Sequence, residues 1–233
     1  NRFKNEFIAI FSHQLRSPLS IFRWSLDALT RKFNDESEPS ENKSSYLAIL
    51  NESAEKMVGV VNMLLEVSRI ESDSMILRHD PVRLEVITDQ VVRSFSAYAR
   101  ASNVALDYAS PAAIPPVNGD AEKIKMVVEN LIDNAVRYSL GGGRVAITVF
   151  SHASSFVEWR VQDSGMGIPA SQQRFIFRKF FRGDGASSRE TRGWGLGLFI
   201  THSVVGALGG QIGFKSIEGR GTLFWFRLPV YRK

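Results

Sequence analysis

The sequence contains no cysteine, which excludes disulfides and thiolate–zinc centres and fits a reducing compartment without requiring one. It also lacks any apolar run near the roughly 20 residues that a membrane-crossing helix needs, and no signal peptide is visible. The expectation is a soluble, cytoplasmic piece with no direct membrane contact. No charge of one sign dominates either: Lys and Arg total 29 against 24 Asp and Glu, and the excess of +5 is scattered along the chain. Nucleic acid is therefore not an expected partner. What is present is a chain of 233 residues, 44% hydrophobic, long enough to bury a substantial core in one or two domains.

Two early segments carry helical seams. Leu15, Leu19, Phe22, Leu26, Leu29 and Phe33 alternate steps of four and three, as do Leu47, Leu50, Ala54, Met57, Val61 and Leu64. The polar stretch 34–42, which contains Pro39, reads as the loop of a helical hairpin. Two such helices cannot bury both faces alone. Pairing with a second copy into a dimeric four-helix bundle is the economical arrangement, so a homodimer through the hairpin is expected. Further along, β-branched and aromatic runs at 145–150, 156–163, 211–216 and 222–229 alternate with helical stretches around 84–100, 120–138 and 197–208. That predicts a mixed α+β domain. Pro81, after a long helix, sets the expected division into residues 1–78 and 79–233.

Several polar residues stand out against these patterns. His13 shares a helical stripe with Ser20 and Asp27, beside the apolar seam and open to solvent, and Pro18 should bend the helix just after it. Asn130 and Asn134 lie on one face of a helix that begins near Asp120, among Val127, Leu131 and Ala135. Amides on an apolar face satisfy each other or bind something polar. Asp163 ends a strand and precedes Gly165, Gly167 and Pro169. Such a carboxylate can accept a hydrogen bond from a ring amine while glycines let the backbone approach, although Asp-Ser-Gly also makes ordinary turns.

Next come Phe177, Phe180 and Phe181, which read as packing residues beside the cations Arg178, Lys179 and Arg182. The glycine- and serine-rich stretch that follows fits a loop or lid. Gly193, Gly195 and Gly197 open a helix whose N–H groups favour anions, and Gly219, Gly221 and Thr222 mark a strand turn. Each glycine cluster alone would mark a turn; their order carries the reading.

In that order the segments FIAIFSHQLRSPLS, NLIDNAVRYS, DSGMGIP, FIFRKFFRG, GWGLGL and GRGTLFWFRLP resemble the H, N, G1, F, G2 and last glycine boxes of sensor histidine kinases. The ATPase part is similar to that of DNA gyrase, the Hsp90 chaperones and MutL. The resemblance implies a dimeric hairpin carrying the phosphoacceptor, followed by an α+β two-layer sandwich with a mixed sheet that binds ATP. It implies that His13 receives the γ-phosphoryl group of ATP and passes it to an aspartate on the receiver of a response regulator. Mg²⁺ would be held by Asn134 and Asn130, adenine by Asp163, and the rest of the nucleotide by Arg137, Tyr138, Gly165, Gly167, Lys179, Arg182, Gly193, Gly195, Leu196, Gly197, Leu198 and Thr222.

Four departures matter. Gln14 stands where the family usually has an acidic residue beside the histidine, and Ser17 where it has Thr or Asn, so a hydroxyl remains for a phosphatase reaction on the regulator. Arg137 replaces a common Lys, and Trp194 a small residue or Thr. A clamp ATPase is the competing enzyme reading, but its catalytic Glu would lie four residues before Asn134, where this chain has Asn130. A non-enzymatic alternative is a scaffold that binds ATP and a receiver and transfers phosphate poorly. The chain begins inside its first helical pattern, so a preceding sensor region is expected.

Overall fold

A computed structural model describes residues 2–33, 40–72, 74–109, 113–139, 141–152, 155–183 and 195–232, with side chains from residue 15 to 30 in the first helix and from 44 onward. The chain divides into two compact units, Asn1–Asp73 and Ser74–Lys233.

The first unit is a helical hairpin. Helix α1 runs Arg2–Phe33 with Pro18 inside it, and α2 runs Ser40–Glu71, so the polar stretch expected as a loop ends in helix directly after Pro39. The expected seam proves to be two stripes. Ser25 and Leu29 of α1 are buried with Leu50, Ser53, Val60 and Val67 of α2, and Trp24 sets its ring edge against Tyr46 with centroids 5.9 Å apart. Leu19, Leu26, Leu47 and Val61, which the spacing also assigned to the seam, remain exposed. A helix with one neighbour covers only part of a wide apolar face.

The second unit packs helices on one face of a mixed sheet. Its elements are β1 (Asp80–Val82), α3 (Leu84–Ala101), β2 (Ala105–Tyr108), β3 (Val117–Gly119), α4 (Ala121–Tyr138), β4 (Arg144–His152), β5 (Phe156–Asp163), α5 (Ala170–Gln173), α6 (Gly197–Ala207), β6 (Gln211–Ile217) and β7 (Gly221–Pro229). The main sheet has the order β2-β4-β5-β7-β6, with β2 parallel to β4 and the other pairs antiparallel; β1 and β3 form a separate antiparallel pair. Strands β1, β2 and β3 are three or four residues long, too short to show alternation, and are absent from the sequence reading for that reason.

Alternation then sorts the two faces of the sheet. Val145, Ile147 and Val149, Val157, Trp159 and Val161, and Phe224, Phe226 and Leu228 are buried under the apolar stripes of α3, α4 and α6. Trp159 anchors this core: its ring stacks on Phe226 at 5.2 Å and its Nε1–H donates to Thr88 Oγ1 at 3.0 Å. On the other face Glu158, only 1% exposed, pairs with Arg160 and Arg227, whose guanidiniums lie 4.7 Å over the rings of Phe150 and Trp225. Burial alone would push the Glu158 carboxyl up, but hydrogen bonds and charge from Arg227 and Arg160 hold it below its ordinary value.

Candidate functional site

Helix α4 supplies the first wall. Asp120 caps it, its Oδ1 accepting the N–H groups of Glu122 at 3.0 Å and Lys123 at 3.2 Å, while Oδ2 accepts from the backbone of Arg78 at 3.3 Å. The helix buries Ile124, Val127, Val128, Leu131, Ile132, Ala135 and Val136. Asn130 and Asn134 stand half-buried at the edge of that stripe. Asn130 lies against the start of α6: a Cβ added to Gly197 would sit 3.0 Å from its Oδ1. Arg137, one turn beyond Asp133, forms an ion pair with it. Burial raises the Asp133 carboxyl, and the Arg137 charge opposes that shift. Asp133 is not among the residues that the motifs single out, although its four-residue spacing from Arg137 is the signal that finds such a pair.

The end of β5 supplies the floor. Asp163 is 7% exposed, and its Oδ1 accepts N–H groups from Gly165 at 2.9 Å and Thr222 at 3.1 Å. Burial raises this carboxyl, and the two N–H donors work against the rise. With Oδ1 engaged by backbone, Oδ2 is the oxygen placed to accept from a ligand amine. Two glycines make the approach of the chains possible: a Cβ on Gly165 would fall 2.1 Å from the Tyr138 carbonyl, and one on Gly221, at φ +103, 2.1 Å from the Asp163 carbonyl. The Met166 N–H donates to Tyr138 O at 3.2 Å and Gly219 N–H to Met166 O at 2.7 Å, so the end of α4, the Asp163 loop and the β6–β7 turn are stitched together. Ser216 adds to this, its Oγ accepting from Ile168 N–H at 2.8 Å and lying 2.8 Å from Thr222 Oγ1. No linear spacing marks Ser216; its role follows from the register that pairs it with Thr222.

The aromatic segment after α5 packs as expected. Phe177 sits between His202 of α6 at 5.1 Å and Phe214 of β6 at 5.9 Å, and Phe175 meets Phe181 at 5.8 Å. The Lys179 ammonium lies 4.8 Å over the ring of Phe199 on α6, and Arg178 stacks 4.7 Å over Phe175. Arg182 is exposed at the end of this segment. Gly195, at φ +65, approaches the backbone of Phe180 and Phe181 to 2.7 Å, measured from an added Cβ. Leu196 is buried at the N-terminus of α6 and Leu198 half-buried in its first turn.

Four residues singled out by the sequence, and most of the glycine- and serine-rich stretch expected as a lid, fall partly or wholly outside the described residues. His13 lies in α1 but its side chain and that of Gln14 are not among those described, and neither Gly193 nor Trp194 is; Ser17 is exposed. Among the described residues no group of three or more His, Cys, Asp and Glu is placed to hold a metal; the amide oxygens of Asn130 and Asn134 are hard donors of the kind that suits Mg²⁺. Among them, too, no helix is long and apolar enough to cross a membrane.

The sequence and the fold both match known proteins. Residues 3–73 match the His Kinase A (phospho-acceptor) domain, and residues 119–232 match the histidine kinase-, DNA gyrase B- and HSP90-like ATPase. The adaptive-response sensory kinase SasA of Crocosphaera subtropica is 31% identical over 235 residues, covering 99% of this chain and 60% of that protein. The signal transduction histidine-protein kinase BarA of Escherichia coli is 30% identical over 233 residues, 98% of this chain and 25% of its own length. The chain thus spans less than two thirds of these relatives. Full-length ShkA, solved with AMPPNP, superposes with a TM-score of 0.72 at 25% identity over 98% of this chain and 46% of that one.

Proposed function

This chain belongs to the sensor histidine kinases, whose catalytic core it carries, and we propose that it phosphorylates itself on His13 from ATP and hands the phosphoryl group to a response regulator. In this reading residues 1–78 form the dimerisation and phosphoacceptor domain and 79–233 the ATP-binding domain. Neutral imidazole of His13 attacks the γ-phosphorus in line; an N–P bond forms, the bond to the β,γ-bridging oxygen breaks, and ADP leaves. An aspartate of the receiver then takes the phosphoryl group.

The protein's contribution is positioning and charge. Asp163 Oδ2 accepts from the adenine amine and thereby selects against guanine, which presents an acceptor there. The first N–H groups of α6, with Gly193, Gly195 and Gly197, receive phosphate oxygens, and Arg137, Lys179 and Arg182 add cations. Asn134 and Asn130 would hold Mg²⁺, which when bound offsets phosphate charge. Gln14, beside His13, can accept a hydrogen bond but cannot hold a proton at neutral pH, and Ser17 offers a hydroxyl to water for dephosphorylating the regulator. A second copy covers the apolar side chains left exposed on the hairpin, Leu19, Trp24, Leu26, Leu47 and Val61. The chain works on the cytoplasmic side, where ATP and receivers are met.

One observation supports this reading: Asp163 Oδ1 accepts from Gly165 and Thr222, Gly165 closes on the Tyr138 carbonyl at the end of α4, and Asn130 of the same helix lies against Gly197. The test is labelling with γ-³²P-ATP. His13→Ala should abolish acid-labile label and leave ATP affinity unchanged. Label that persists in that variant refutes the assignment.

A further inference from the structure

The strands that carry Asp163 at one end carry a different feature at the other. Phe156 opens β5 and pairs with Pro229, which closes β7. Seven residue steps separate Phe156 from Asp163, about 23 Å along an extended strand. At this far end a shallow cavity of about 460 Å³ opens between the sheet, the β1–β3 pair and the C-terminal residues. Its size falls within the range of small-ligand sites.

The chemistry of its walls is one-sided. Phe156, Pro229 and Val230 present apolar surface, and Tyr231 adds a ring. Around them stand His79, Asn118, Ser155 and Arg232, brought in from four separate segments. Arg232 Nη2 donates to Ser155 Oγ at 3.3 Å, and the Asn118 amide lies 3.3 Å from His79 Nδ1. The polar groups are thus held in two pairs around the apolar floor. Among the described residues no carboxylate lines the cavity. The buried one on β5, Glu158, is held by Arg160 and Arg227. An apolar floor beside a guanidinium, an amide, a hydroxyl and an imidazole suits a ligand with an anionic head and a flat apolar body.

We infer that this cavity is a second binding site, separate from the nucleotide site, that takes a small aromatic phosphate or carboxylate with its head on Arg232 and Asn118 and its ring on Phe156 and Pro229. His79 directly precedes β1, where the chain enters the second unit, so a ligand here ties that entry to the end of the central strands.

Titration calorimetry on the full chain, with saturating ADP present, tests this with phenyl phosphate, benzoate and inorganic phosphate as probes. Phenyl phosphate or benzoate should bind at one saturable site with Kd about 1 mM or tighter, and the tighter of the two names the preferred head group. Inorganic phosphate, which has no apolar body, should bind at least about tenfold more weakly. Arg232→Gln, at an exposed position, should weaken the aromatic probe about tenfold or more, and Asn118→Ala about threefold, with melting temperature unchanged. The inference is overturned if neither aromatic probe saturates by about 20 mM, a concentration well above the expected Kd. It is equally overturned if ADP displaces the probe, if inorganic phosphate binds as well as phenyl phosphate, or if both substitutions leave affinity unchanged. A titration of ADP alone into the same protein shows failure of the nucleotide site separately.

Discussion

The two units of this chain solve the burial problem differently. The second closes its own core: Trp159, Phe226, Leu131 and Ile147 are almost wholly hidden, and the open face of its sheet is covered by the Glu158, Arg160 and Arg227 layer. The hairpin leaves apolar side chains uncovered, Trp24 at 61% exposure among them, while placing the hydroxyls of Ser25 and Ser53 inside its seam. A single α/β layer pair can be complete in one chain, whereas a pair of helices with wide apolar faces is half of a structure. Stability in the second unit is therefore intramolecular, and in the proposed dimer that of the hairpin would depend on concentration.

The largest expected effect tests the first half of that contrast. Trp159→Ala removes a buried ring, its stacking on Phe226 and its hydrogen bond to Thr88, and should cost the second unit about 3–5 kcal/mol. Urea unfolding followed by far-UV circular dichroism reads the loss. Residues 74–233 expressed alone should fold as a monomer with the unaltered stability; failure to fold would show that the hairpin supports that core.

The second half is tested on the hairpin. The intact chain should scatter light with about twice its 26.1 kDa mass. Leu19→Ser combined with Leu26→Ser should weaken the dimer by about ten-thousandfold, since the two protomers together lose four apolar contacts of roughly 1.5 kcal/mol each. The urea transition of the second unit should not move. A dimer that survives both substitutions would place the interface elsewhere.

A smaller effect is expected at Gln14. General-base assistance is worth about 10²–10⁴ in rate at most, and less for an imidazole already neutral at pH 7. Gln14→Glu should therefore speed single-turnover labelling about tenfold, with ATP affinity unchanged because the position belongs to the hairpin. A slower Glu variant would mean that the amide already orients His13 and that another group accepts the proton.

The smallest effects separate two carboxyls of the second unit by the sign of their pH dependence. Glu158 titrates below its ordinary 4.5, so its contribution is present above that value and is lost as pH falls through the lower folded one. Asp163 titrates above its ordinary 3.8, so the advantage of its protonated form is complete below that value and lost as pH rises through the raised folded one. Melting curves between pH 4 and 8 without nucleotide should show Glu158→Gln destabilised at neutral pH and less sensitive to acid. Asp163→Asn keeps an oxygen for the Gly165 and Thr222 N–H groups and should melt slightly higher at neutral pH while binding ATP more weakly. A lower melting point for Asp163→Asn would show that ionised Asp163 is favoured by more than those two donors.

Long periodic elements are legible in the order of residues alone. Helices α3 and α4 and strands β5 and β7 fall within a residue of the runs that predict them, because each repeats a burial pattern over eight or more residues. The spacing of Asn130 and Asn134 puts both amides on one face, and the aromatic character of Phe177 and Phe181 announces packing. The short strands β1, β2 and β3 are not legible, since three or four residues carry no period and Pro81 argues against a strand except at an edge. Lys179 can be read as a cation near phosphate, but its place over Phe199 depends on where α6 packs.

The amino-acid order by itself therefore settled which long segments are helix and strand, which face of each is apolar, and which polar residues have no reason to stand there. It did so because those properties are local, set by side chains within a turn or two of one another. Adjacency between distant segments was decided by the folded sheet. Thr222 reaches Asp163 only because β5, β7 and β6 lie in one register, Arg227 meets Glu158 only across the β5–β7 pair, and Arg232 meets Ser155 only where the last residues pass the β4–β5 turn. The hairpin seam divided for the same kind of reason. Its apolar stripe is wider than one neighbour can cover, and which half is buried depends on the partner helix, not on the residues of the stripe themselves.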